Sequence, residues 1–332
     1  MQSVRAEAPG LTRLRRCNTA TLVRVNASAP SAATTHRALG LACAFGSAAT
    51  FSAKAIFVKL AYANSTVDAV TLLTLRMAYA APFYVALLLW SSRGRARLDR
   101  AAAARVCGLG LLGYYLASLL DFLGLVYISA ALERLVLFLY PTIVVLLSAA
   151  LARRRITATE LGALALSYAG IAAVMSHDLR WSGDAGGSTW LGVALVFASA
   201  VAYAIYLLGA APLIATLGSI RFTAAAMLVS ASAAALQFVA TRPSSALAQP
   251  AVVHGLALAM AVISTVVPTL LLGAAIKRIG SGHTALVASI GPIATIALGW
   301  AVLGEPISAL ELCGAALVLA GVILVSRPQP SA

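Results

Sequence analysis

The sequence predicts an all-α polytopic membrane protein whose ten transmembrane helices form two inverted five-helix repeats. Three observations lead there. Of 332 residues, 61% are hydrophobic and 10% are charged, with a mean hydropathy of +0.94; soluble domains carry about 25% charged residues. Apolar runs of about 20 residues recur, the length that crosses roughly 30 Å of hydrocarbon. The stretch Ile128–Met175 recurs without a gap at Ile279–Ser326, with 15 identical positions. The runs do not alternate apolar with polar residues, which sets aside a transmembrane β-barrel.

Residues 1–36 come first. They hold Arg5, Arg13, Arg15, Arg16 and Arg24 against one acid, Glu7, amid many Ala, Ser and Thr. That composition predicts a disordered, basic cytoplasmic tail; an organellar targeting segment has a similar make-up. Ten spans follow, at roughly 38–61, 67–90, 105–126, 129–151, 158–176, 189–210, 217–240, 252–276, 282–303 and 308–326. Spans 1 to 5 (38–176) form the first copy and spans 6 to 10 (189–326) the second.

The copies match in register. "ITATELGALALSYAGI" falls on "ISALELCGAALVLAGV", which pairs Glu160 with Glu311 and Gly170 with Gly321; Pro141 pairs with Pro292. Earlier, "FGSAATF" at 45–51 resembles "FASAVAY" at 197–203, and "TLR" at 74–76 resembles "SIR" at 219–221. Five spans per copy is an odd number, so the copies enter the membrane in opposite orientations, a recurring device of secondary transporters. The loops agree. With the N-terminus inside, inner loops hold Arg93, Arg95, Arg97, Arg100, Arg105, Arg153, Arg154, Arg155, Lys277 and Arg278, and outer loops hold Arg180 and Arg242. The positive-inside bias therefore places both termini in the cytoplasm. It also accounts for the net charge of +14 without nucleic acid.

Seven charges lie within the apolar runs: Lys54, Lys59, Arg76, Asp121, Glu133, Arg134 and Arg221. Each costs about 2.5–3.5 kcal/mol near the bilayer centre, so each must pair, face water or snorkel. Lys59 and Arg221 lie near span ends, where snorkelling suffices. The others belong to the first copy. The counterparts of Asp121, Glu133 and Arg134, at Leu272, Thr284 and Ala285, are uncharged, and a requirement of the fold itself would appear in both copies. Polar stripes point the same way. Ser47, Thr50 and Lys54 share a face of span 1, Tyr114, Ser118 and Asp121 a face of span 3, and Ser199, Tyr203 and Tyr206 a face of span 6. Glu133 and Tyr140 are seven apart on span 4. These faces are expected to converge on a water-accessible pocket.

Two readings of the charges stand. In one, Lys54–Asp121 and partners of Glu133 and Arg134 form a salt-bridge network that locks the helices. In the other, Lys54 and Arg76 hold a substrate carboxylate or phosphate, and Asp121 or Glu133 pairs a substrate amine or exchanges a proton. The slight excess of cations favours an anionic or zwitterionic substrate. Pro141 and Pro292 remove a mid-span hydrogen bond and are expected to act as hinges; a static kink is the alternative. Pro268 in span 8 has no counterpart. His254 and His283 lie near span ends, where solvation or capping explains them. Ala165/Ala169 and Ala316/Ala320 are small-residue pairs that favour close helix contact, and a homodimer is compatible with them. Cys17, Cys43, Cys107 and Cys313 are scattered without metal-ligand spacing.

The ordered set of features resembles a known family. Ten spans in two repeats, "FVKLAY" in span 1, "TLR" in span 2, a mid-span proline in spans 4 and 9, and "LGEPIS" before span 10 are similar to the drug/metabolite transporter superfamily, EamA branch, over about residues 38–326. The resemblance implies a central cavity lined by spans 1–4 and 6–9, peripheral spans 5 and 10, and export or exchange of small metabolites such as amino acids. One departure is "RRR" after span 4, where relatives often carry an acidic loop. The sequence contains no G-x-x-x-x-G-K-[ST], H-E-x-x-H or G-x-S-x-G, so neither a P-loop ATPase nor these hydrolases are indicated. No cofactor or metal is implied; the expected partners are a small-molecule substrate and the lipid bilayer. The expected location is the inner (plasma) membrane. A non-transporting scaffold, or an intramembrane enzyme using Asp121 and Glu133 as acid and base, is the alternative.

Overall fold

The computed structural model describes residues 32–95, 98–182 and 187–326, and all its regular elements there are helices. The reading of residues 1–31 as a tail lies outside them; α1 itself starts at Ala32. Helices α1 (Ala32–Asn64) and α2 (Ala69–Ser92) form the first two spans. Span 3 is α3 (Arg100–Gly110), a π segment (Leu111–Leu116) and α4 (Ala117–Gly124). Span 4 is α5 (Ala130–Leu137) and α6 (Tyr140–Leu151), and span 5 is α7 (Ala158–Ser182). The second half continues with α8 (Gly187–Leu217) and α9 (Ser219–Thr241). Then come α10 (Ala251–Ala261), a π segment (Val262–Val266), α11 (Val267–Ala288), α12 (Gly291–Leu298), a further π segment (Gly299–Leu303) and α13 (Ala309–Ser326).

Eight of these segments are long and apolar enough to cross a membrane, and Gly291–Leu303 and Ala309–Leu324 are shorter apolar helices. Outward side chains match a lipid environment: Leu151, Leu236 and Val239 are all more than 70% exposed. The chain is a multi-pass membrane protein.

Local chemistry explains the element ends. Asp68 caps α2, accepting from Val70 N at 3.0 Å and Thr71 N at 3.2 Å. A reciprocal capping box opens α7. Thr157 N donates to Glu160 Oε2 at 2.8 Å, and Glu160 N donates to Thr157 Oγ1 at 3.3 Å. The same box opens α13, between Ser308 and Glu311 at 3.0 and 3.1 Å. Each satisfies backbone donors that a helix start leaves unpaired.

The expectation of bends at Pro141 and Pro292 takes a definite form. The helix breaks just before each proline, at Phe138–Leu139 and at Ser289–Ile290, and each proline then sits in the first turn of α6 or α12. There its missing N–H costs nothing.

Paired helices enclose the core. α1 packs on α11, α4 on α8, α2 on α9, and α7 on α13. The α7–α13 contact uses Gly170 against Gly314, and Gly321 against Ala163 and Ser167, where an added Cβ would collide. Ala165, Ala169, Ala316 and Ala320, the small pairs singled out in the sequence, take no part in it and face outward. Three serines stitch the halves together, Ser52 among them through donation from Oγ to Gly291 O at 2.9 Å. Ser47 Oγ donates to Pro268 O at 3.0 Å, and Ser199 Oγ donates to Ala117 O at 2.7 Å. Arg221 does not snorkel as its place near a span end suggested. It lies in the first turn of α9, turned inward and only 8% exposed.

Candidate functional site

Three helices bring the membrane charges together: Lys54 on α1, Asp121 on α4, and Glu133 with Arg134 on α5. The start of α5 is fixed twice. Ser129 Oγ accepts from Leu132 N at 3.1 Å. Glu305, from the loop before α13, accepts from Ala130 N through Oε1 at 3.1 Å. The acid of "LGEPIS" thus caps the helix that carries the charges.

Lys54 Nζ lies 2.6 Å from Asp121 Oδ2 and 3.3 Å from Glu133 Oε1. One ammonium holds two carboxylates. The sequence paired Lys54 with Asp121 and sought other partners for Glu133; both acids share the lysine. Asp121 Oδ1 and Glu133 Oε2 keep no hydrogen-bond donor. Removing ions from water is costly unless they are paired, so this triad binds α1, α4 and α5 to one another.

Two guanidinium groups flank it. Arg76 on α2 donates from Nε to Thr265 Oγ1 at 3.1 Å and lies 5.5 Å from the centre of the Phe122 ring. Its Nη1 is without a partner. Arg134 lies 4.9 Å from the centre of the Phe51 ring, and its Nε is without a partner. Such cation–π contacts hold a guanidinium in place while leaving its N–H edge available. Gly291, at the start of α12, makes room for Arg134: a Cβ there would stand 2.8 Å from Nη2.

The polar faces meet, but they do not form the water-accessible pocket expected of them. Lys54, Arg76, Asp121, Glu133 and Arg134 are each 7% exposed or less. Tyr114, Tyr140, Tyr203 and Tyr206 gather beside the charges rather than among them. Tyr206 donates to Tyr114 Oη at 2.9 Å, and Tyr140 and Tyr203 meet edge to face at 5.2 Å. Gly113 leaves space against the Tyr206 ring that no Cβ could share. Ser118 is half-buried on α4, outside the polar contacts of the cluster. His254, expected to be solvated or a cap, pairs instead through Nδ1 with Tyr79 Oη at 2.9 Å.

Thr265, Gly291, Phe51 and Phe122 belong to the site and went unnoticed in the sequence. Only the Gly291–Pro292 pair carried a signal there, a turn dipeptide inside an apolar run.

Comparison with known proteins places this geometry. The profile of the EamA-like transporter family matches residues 38–176 and 190–327. The uncharacterized transporter YcbK of Bacillus subtilis (strain 168) is 28% identical over 269 residues, covering 80% of this chain and 85% of that protein. An uncharacterized transporter of Archaeoglobus fulgidus is 23% identical over 275 residues, covering 82% and 94%. A solved crystal structure shares the fold with a TM-score of 0.59 at 21% identity, covering 87% of this chain and 97% of that one. Two matched stretches that together span most of the sequence leave one conclusion: the chain belongs to the EamA-like transporter family.

Proposed function

We propose that the protein is a secondary transporter that exports or exchanges small polar metabolites, such as amino acids, by alternating access around a mid-membrane site. The observation that carries this reading is the buried set of Lys54, Asp121, Glu133 and Arg134, present in one copy of the repeat and absent from the other, whereas Arg76 beside it is answered by the buried Arg221. A charge set needed only to hold the fold would be duplicated with the fold.

Several features support ten spans in two inverted copies. The π segments of spans 3 and 8 begin at 111 and 262, a separation of 151 residues, although a third, Gly299–Leu303, has no counterpart in the first copy. The breaks before Pro141 and Pro292 and the capping boxes at Thr157 and Ser308 keep the same separation. Helix pairing follows suit: the contact of span 1 with span 8 is answered by that of span 6 with span 3. The loop cations favour a cytoplasmic position for both termini, in a plasma membrane of the bacterial inner type.

Arg76 Nη1 and Arg134 Nε are the donors that would take a substrate carboxylate or phosphate. Asp121 or Glu133 would take an amine or a proton, since the triad already holds more carboxylates than ammonium groups. Pro141 and Pro292 would serve as hinges where the helices are already broken.

The test combines binding with transport. Purified protein is screened by thermal shift against amino acids, organic acids, nucleotides and cationic drugs. The compounds that shift it are then followed in proteoliposome counterflow. A ligand that binds only the folded state raises the melting temperature by mass action. Zwitterions or anions should shift the wild type and be carried, and Arg76→Gln and Arg134→Gln should lose both responses while remaining folded. If no compound is bound or carried, the charges only lock helices and the reading fails.

A further inference from the structure

A second cationic cluster lies far along α1 from Lys54, where α1 begins. A cavity of about 360 Å3 is lined there by His36, Arg37, Leu41, Arg278, Ile279 and His283. Four of these six side chains carry or can carry positive charge. The backbone builds the cavity. Gly280 adopts φ +77° and turns the chain between Arg278 and His283, so that both reach one space. Gly40 lets α1 approach so closely that a Cβ would collide with Arg278 and Ile279. Arg278 is held by donation from Nη1 to Ala274 O at 3.0 Å, while its buried Nε has no partner.

Among the described residues, no carboxylate pairs with any of the four. Like charges gathered without an anion repel one another, so the arrangement is suited to an anion. The volume lies within the range of small-molecule sites. The lining has an apolar part too: Ile279, and Leu41, which is 41% exposed. We infer that this cavity binds a phosphate-bearing group. Its cationic side chains, the apolar Leu41 and Ile279 beside them and its position at the helix ends favour the headgroup of an anionic phospholipid, its acyl chains lying against Leu41. Basic pockets between spans are the usual means of holding such headgroups. The inference does not depend on what the central site carries.

The experiment uses the full chain, purified in neutral detergent and delipidated. Melting temperature and lipid retained in native mass spectrometry are measured with phosphatidylglycerol, phosphatidylcholine or inorganic phosphate added. Arg37→Gln/His283→Gln is the main variant, since both side chains are exposed and their loss leaves the fold intact. Arg278→Gln is the second. Arg153→Gln/Arg155→Gln, which alters exposed charges elsewhere, is the control. The wild type and the control should bind phosphatidylglycerol in preference to phosphatidylcholine. The cavity variants should bind it about tenfold more weakly. If inorganic phosphate stabilises the wild type as strongly, and the cavity variants abolish that, the phosphate group comes from a soluble ligand. If the control loses as much as the cavity variants, or if none of the proteins distinguishes the three additions, the site is overturned.

Discussion

Lys54 is the single cation between two buried carboxylates, and its loss should be felt first as instability. Lys54→Ala leaves Asp121 and Glu133 facing each other unneutralised. Breaking a buried ion pair this way costs about 3–5 kcal/mol. A large fall in melting temperature is expected, and adding Asp121→Asn and Glu133→Gln to the same chain should recover most of it. Gly291→Ala acts differently. Its Cβ meets the end of a flexible side chain, so the guanidinium of Arg134 shifts while the helix stays. Counterflow should drop with little change in melting temperature. The sequence showed which residues are costly to bury, because a charge in an apolar run is visible without coordinates. It did not show that one lysine serves two acids, since that depends on where three helices meet. Gly291 was hidden for the opposite reason: its contribution is room for another side chain. Arg221 misled because a span end in sequence is not a lipid face in space; packing of α9 turned it inward.

At the scale of single helices, caps decide where the elements begin. "TATE" and "SALE" stood out in the sequence as an echo of one another, and the structure shows each to be a capping box. Thr157→Ala and Ser308→Ala should each cost about 1 kcal/mol, measured by chemical or thermal unfolding in detergent. Asp68 caps α2 and pairs with Arg242 Nε at 3.1 Å. Partial burial alone would raise its carboxyl, but hydrogen bonds from Thr71 and Arg242, with the Arg242 charge, outweigh that and hold it below the usual range. A group whose folded pKa is lowered stabilises above its unfolded value and loses that contribution as pH falls through the folded one. The melting-temperature gap between wild type and Asp68→Ala should therefore be full near neutrality and shrink once pH drops below about 3.9. The prolines were legible as interruptions but not as to place, because the break falls upstream of the ring that permits it. Pro141→Ala and Pro292→Ala should let the helices reseal. We expect slower counterflow from both, without loss of folding. The π segments went unread in the sequence: LLGYYL, VISTV and GWAVL share no pattern that sets them apart from the helices around them.

For the molecule as a whole, hydropathy and the 151-residue echo conveyed that it crosses the membrane many times in two related halves. Topology is the testable part. In a background without native cysteines, Arg155→Cys should be labelled by an impermeant reagent only from the cytoplasm, and Arg242→Cys only from outside. Labelling of both from the same face would refute opposite insertion of the halves. One asymmetry bears on the alternating access proposed above. Interchanging the conformations of two identical halves would give inward-open and outward-open carriers of equal energy. Here the frame is duplicated and the ion triad is not, and Lys54, Phe51 and Asp121 are answered by Tyr206, Tyr203 and Leu272. The two end states are thereby made unequal, and a carrier built this way has a preferred resting side before any gradient acts on it.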